Sequence, residues 1–171
     1  MSEISNETRR LLCERGIEIP ILSGIEISKW INELKDEFDC FPIAVSILRV
    51  VGGLRVDETG PGEDLAKSDF VLDPSELEGE GDYICDHEEI VGGKLFPLGT
   101  ANRGKDALVV DEHGHAYWLN DGGVFFYQDC EELVVSLIRG KKGKLIWPEE
   151  NTSSPTPSPP SPGTRPIFPC S

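Results

Sequence analysis

The apolar residues of this chain change their spacing partway along, and that change limits what it can fold into. As far as Val51 they lie on helical stripes; from Leu108 to Tyr127 they come in short blocks divided by turn residues. A stripe with three- and four-residue spacing buries one side of a helix, whereas short β-branched and aromatic blocks suit strands.

Ser5 or Asn6 can cap a first helix that has Glu7 in its first turn, carries Leu11 and Leu12, and stops at Gly16. Ile27, Trp30, Ile31, Leu34 and Phe38 form the stripe of a second, with Ser28 available as its cap. A third runs from Pro42 through Ile43, Ala44, Ile47, Leu48 and Val51 to the stop at Gly52-Gly53. Leu108-Val109-Val110 and Ala116-Tyr117-Trp118-Leu119 flank Asp111-Glu112-His113-Gly114 and read as a hairpin. The turn Asn120-Asp121-Gly122-Gly123 leads into Val124-Phe125-Phe126-Tyr127, completing a three-stranded meander. Leu54-Arg55-Val56 and Phe70-Val71-Leu72 extend it, and Leu95-Phe96 is a shorter candidate. Asp129 and Glu132 have capping-box spacing for a last helix, in which Leu133, Val134, Leu137 and Ile138 face inward. Arg139, Lys141 and Lys142 complement its negative end near Gly140.

The order predicts an α+β domain: N-terminal helices packed on a twisted, mainly antiparallel sheet, closed by a C-terminal helix, with the other sheet face open to a partner. We expect one domain over residues 1–147. Residues 148–171 are rich in Pro and Ser with little to bury and read as a disordered tail; its Pro157-x-x-Pro160 and Pro159-x-x-Pro162 spacings arise by chance in any proline-rich segment.

Charge narrows the function. The chain carries a formal −15, and residues 57–89 hold thirteen acids against the single base Lys67. Such a surface repels phosphate backbones and anionic lipid, which argues against direct nucleic-acid or membrane binding, and it steers a basic partner inward. A solvated acidic face that only maintains solubility has the same composition. No stretch approaches the roughly 20 apolar residues of a membrane span, and Met1-Ser2-Glu3-Ile4-Ser5-Asn6 lacks the order of a signal peptide, so a cytoplasmic protein is expected. Cys13, Cys40, Cys85, Cys130 and Cys170 are odd in number and widely spaced, which fits reduced, mostly buried thiols.

No constellation points to catalysis or to a cofactor. Gly99-Thr100-Ala101-Asn102-Arg103-Gly104-Lys105 follows the phosphate-binding loop pattern until Asp106 replaces the required hydroxyl, and a strand follows instead of a helix. It reads as a glycine-rich loop entering the meander. His113 and His115, with Cys85 and His87, would make a zinc site only if two distant pairs met; exposed turn histidines are the simpler account. Glu78-Gly79-Glu80-Gly81-Asp82 lacks the remaining ligands of a calcium loop and reads as a flexible acidic loop. Cys85 and His87 lie two residues apart on a segment read as helical, where they do not face each other.

Gly52-Gly53-Leu54 after an apolar helix, Phe70-Val71-Leu72-Asp73-Pro74, Ile90-Val91-Gly92-Gly93-Lys94-Leu95-Phe96-Pro97-Leu98-Gly99 and Leu108-Val109-Val110-Asp111-Glu112-His113-Gly114-His115-Ala116-Tyr117 follow in order. Over roughly residues 28–140 this arrangement resembles the SUKH superfamily, closest to its third subgroup. The resemblance implies an α+β domain that in bacteria is commonly an immunity protein encoded beside a polymorphic toxin, often a nuclease or nucleic-acid deaminase. It also implies binding without turnover, and it brings no site residues with it. The superfamily includes cellular regulators as well, so a regulatory scaffold is the alternative reading and a metal-dependent enzyme the second.

The partner expected is therefore a cognate protein toxin with a basic substrate groove. Its candidate contacts are Glu63, Asp64, Glu76, Glu78, Glu80, Asp82, Asp86, Glu88 and Glu89, with Tyr117 and Trp118 as buried anchors. Phe125, Phe126 and Tyr127 are further aromatic candidates on the meander, although core packing is the favoured fate of most of the five aromatics.

Overall fold

A computed structural model describes residues 3–22 and 24–148. The Pro-rich tail and Cys170 lie outside them. The elements run α1 (Asn6–Glu14), α2 (Gly24–Leu34), α3 (Pro42–Val51), β1 (Arg55–Val56), β2 (Phe70–Val71), a 3₁₀ turn (Pro74–Leu77), α4 (Gly81–Val91), β3 (Leu95–Ala101), β4 (Asp106–Asp111), β5 (Ala116–Asn120), β6 (Gly123–Tyr127), α5 (Cys130–Arg139) and β7 (Lys144–Trp147). All seven strands join one sheet in chain order, each antiparallel to the next. One hydrophobic cluster draws residues from all five described helices and from β1 to β6, with Ile146 of β7 packed against it.

The α+β class and the meander are as expected, and several local expectations need correction. Helix α2 starts a turn before its stripe, so Ser28 sits inside it and does not cap it. An apolar stripe marks only the buried side, and the first turn of α2 is exposed. Phe38 lies beyond the helix end yet stays in the core, edge-on to Phe96 at 6.2 Å. Strand β3 is seven residues long, well beyond Leu95-Phe96. Pro97 and Gly99 disguise it in the sequence, and a register shift between them absorbs the irregularity. Gly99 is required there: a Cβ would lie 1.9 Å from the Val71 carbonyl oxygen.

Helix α5 is not the final element, because β7 follows and pairs with β6. Residues 78–82 are not simply a loop either, since Gly81 and Asp82 open α4. The phosphate-loop mimic resolves into a hairpin: Gly99–Ala101 ends β3, Asn102, Arg103 and Gly104 turn with positive φ, and Asp106 begins β4. Among the described cysteines only Cys130 is buried; Cys13 and Cys85 are exposed and Cys40 is intermediate.

The open sheet face is also corrected. Successive residues of a strand point to opposite faces, yet every residue of β3 and β4 is buried, as are Ala116 to Leu119 of β5. The sheet centre is therefore covered on both sides, and exposed strand residues such as Arg55, Lys144 and Trp147 lie at its edges.

Two long-range contacts hold the periphery. In the first, Ser5 caps α1, accepting from the Thr8 amide, and its hydroxyl donates to Glu131 of α5, as does the Thr8 hydroxyl. Burial opposes the charge on Glu131, but these bonds and the Ser5 amide outweigh it and hold the carboxyl below its ordinary value. In the second, Gly62 meets Gly140 backbone to backbone at the end of α5, where Gly140 has φ +69°. Glu63 N–H donates to the Arg139 carbonyl, Asp64 and Leu65 N–H donate to that of Gly140, and Lys142 N–H donates to the Asp64 carboxylate. The carbonyls that a helix end leaves unpaired are satisfied by this loop.

A Cβ on Gly62 would come within 2.3 Å of the Leu65 carbonyl and 2.6 Å of Gly140 Cα, all backbone. Gly62→Ala should therefore cost about 2 kcal/mol or more in chemical unfolding, whereas an unchanged midpoint would mean that this contact is loose. Glu131→Gln should cost about 1 kcal/mol near neutrality, at the modest end because the site is partly exposed. A depressed carboxyl contributes stability above its ordinary value and loses it as pH falls through the folded-state value. Parent and variant melting temperatures should thus converge on acidification; a constant gap would contradict the assignment.

Candidate partner-binding surface

Helix α4 is the element on which the acidic run becomes a surface. Its fully buried Ile84 fastens it to the core, and burying such a side chain is worth about 2 kcal/mol. With a turn of about 100° per residue, Asp82, Asp86 and Glu89 project on the side opposite Ile84. All three are exposed, as are Glu76 in the 3₁₀ turn and Glu78 and Glu80 in the link to α4.

The helix start is capped from a distance. Glu80, the residue before α4, makes no side-chain cap. Instead Glu37, from the link between α2 and α3, accepts from Gly79 N–H at 2.8 Å and Gly81 N–H at 3.2 Å. A carboxylate there satisfies unpaired amides and complements the helix dipole. At the other end Gly92 turns the chain in the left-handed region. Glu88 then accepts from Leu95 N–H at 2.9 Å, tying the helix to β3.

The electrostatics of this face are uncompensated. Lys94 lies 3.7 Å from Asp39 and 4.0 Å from Glu88. Among the described residues, none of Glu76, Glu78, Glu80, Asp82, Asp86 or Glu89 has a cationic partner within 4.0 Å. The capping contact also brings residues 36–39 alongside, so Glu37 joins a surface that the sequence placed chiefly at residues 57–89, while Asp39 pairs with Lys94.

The structure thus divides the expected contact residues. Glu76, Glu78, Glu80, Asp82, Asp86 and Glu89 are exposed on and before α4, whereas Glu88 is mostly buried and anchors β3. Glu63 and Asp64 lie on the loop docked at the end of α5, with the Asp64 carboxylate bonded to Lys142 N–H. Tyr117 and Trp118 are core residues, 4% and 6% exposed. The Tyr117 hydroxyl donates to buried Asp111 at 2.7 Å, and the Trp118 indole donates to buried Asp106 at 2.9 Å. Burial raises the Asp106 pKa, although the Trp118 bond partly offsets it. Tyr127 is buried as well, while Phe125 and Phe126 are intermediate and packed against Trp118 and Tyr117.

Sequence reasoning missed two surface aromatics, Trp147 on the edge strand β7 and Tyr83, 39% exposed on α4 beside the acids. The available signal for Tyr83 was an aromatic standing among acids on a polar helix.

The other chemically capable residues are engaged elsewhere. His115 Nδ1 lies 3.4 Å from Asp111, and its ring is 6.2 Å from that of His113. His87 Nδ1–H donates to the Tyr83 carbonyl at 2.8 Å. Neighbouring Glu88 holds the Cys85 thiol pKa up, and burial pushes that of Cys130 up to about 12. Among the described residues no group of three or more His, Cys, Asp or Glu is placed to hold a metal ion, and no described helix is long and apolar enough to cross a membrane.

An α+β scaffold carrying an acidic helix whose outer carboxylates lack cationic partners among the described residues is suited to meeting a basic macromolecule. The family comparison gives the particular case. The model of the SUKH-3 immunity protein family matches residues 20–140, and the chain belongs to that family. No curated protein and no solved structure matches it. Membership makes it an immunity protein, a role that implies binding a cognate toxin.

Proposed function

We propose that this immunity protein neutralises a toxin acting on nucleic acid, a nuclease or deaminase, by laying the α4 face over the toxin's basic substrate groove. The observation that carries this reading is the row Asp82, Asp86 and Glu89, exposed and without cationic partners on a helix held by Ile84, Glu37 and Glu88. A groove built for phosphates presents Lys and Arg at close spacing, and a fixed row of carboxylates occupies it without reaction. Because the helix is held in place before contact, little ordering entropy is lost on binding.

Charge of this kind acts mainly on the encounter rate. Reversing Asp82, Asp86 and Glu89 together to Lys should slow association with the cognate toxin by about tenfold at low salt, and should flatten the salt dependence. Stopped-flow mixing at several ionic strengths measures both. The same variant should protect less well when toxin and immunity protein are co-expressed. A variant with the parent rate, salt slope and protection would remove α4 from the interface.

A further inference from the structure

Among the described residues the large apolar side chains that stand exposed are Ile21, Ile25, Tyr83 and Trp147, and of these only Tyr83 lies on the acidic helix. Its ring packs on the His87 ring, one turn further along α4, with centroids 4.7 Å apart. A side chain that already rests on a neighbour loses less rotamer entropy when a partner covers it. The ring also sits in a negative field. Burial first, then the charges of Asp106, Asp121 and Glu80, raise its hydroxyl pKa, so it is a neutral phenol among carboxylates. Asp106 begins β4 and Asp121 lies in the turn before β6, so charge from two hairpin ends reaches an aromatic on α4.

We propose that Tyr83 is the anchor of this face and receives an arginine side chain of the partner, the guanidinium lying over the ring while its N–H groups reach neighbouring carboxylates. This rests on the reading of α4 as the contact surface and adds the chemistry that the surface selects. Guanidinium is planar and weakly hydrated, so it can stack on an aromatic and fork to carboxylates together; an ammonium is compact and strongly hydrated, and the acids alone satisfy it. Tyrosine and arginine are, with tryptophan, the residues enriched among those that carry binding energy at interfaces. The acids attract any cation, and the ring selects arginine among them.

The test uses the full chain and two labelled peptides, one of four Arg-Gly-Ser repeats and one of four Lys-Gly-Ser repeats, titrated at low salt by fluorescence anisotropy. The arginine peptide should bind about threefold to fivefold tighter. Tyr83→Ala and Tyr83→Leu should both abolish that preference while leaving the lysine peptide within about twofold of its parent affinity, and Tyr83→Phe should retain it. The leucine variant keeps an apolar side chain against His87, so loss of the preference there reports the aromatic face and not the fold. Equal affinities for the two peptides in the parent chain, or a preference that survives in the leucine variant, would overturn the role of Tyr83 and leave the acidic surface standing. Failure of both peptides to bind would remove the surface and the anchor together.

Discussion

Burial of the sheet centre on both sides is the constraint on which the rest depends. Leu108, Val109, Val110 and Leu119 have no exposed surface. The two carboxylates buried among these strands, Asp106 and Asp111, are each bonded to an aromatic donor on β5. A buried carboxylate without such a partner would be costly, so Trp118 and Tyr117 are held inside by the groups that they satisfy. A partner cannot reach the middle of this sheet. Contacts with a partner would use elements around it, and α4 is firmly attached and presents acids that have no cationic partner among the described residues.

That attachment explains how so acidic a segment stays ordered. Carboxylates along residues 76–89 repel one another, and no cation in the described structure neutralises those on the outer side of α4. The helix persists because Ile84 is buried, Glu37 caps its first amides, and Glu88 accepts from the first residue of β3. The acids therefore divide in what they do for the fold. Glu88 and Asp64 of the acidic run, with Glu37 from outside it, accept backbone amides, while Asp82, Asp86 and Glu89 face solvent.

What the sequence made legible was local. Pro42, the Asp129 cap, the Gly140 stop and the turn between β4 and β5 are signalled within a few residues, and each lies where expected. The parts that were hidden involve partners far apart in the chain. Glu37 caps a helix that starts at Gly81, Gly62 meets Gly140, and β7 is a strand because β6 offers it an edge. The acidic charge was plain from composition, but its division between loop 63–64 and α4 follows from the way in which the loop docks on α5. The meander aromatics depend on the same kind of information. Core packing, which the sequence favours for most of them, holds for Tyr117, Trp118 and Tyr127. An anchor role for Tyr117 and Trp118 would need an open sheet face, and no local pattern reveals that both faces are covered. Tyr83 was overlooked because a single aromatic on a polar helix has no periodicity.

Membership of the SUKH-3 immunity protein family supplies the role, and the acidic helix offers a physical means of fulfilling it by contact. The measurement that bears on this most directly is hydrogen–deuterium exchange of the chain, free and bound to its cognate toxin. The account expects bound toxin to slow exchange most across residues 79–91 and in the turn around Asp121. Protection confined to the β7 edge or to residues 19–25, with α4 exchanging as it does in the free protein, would contradict it.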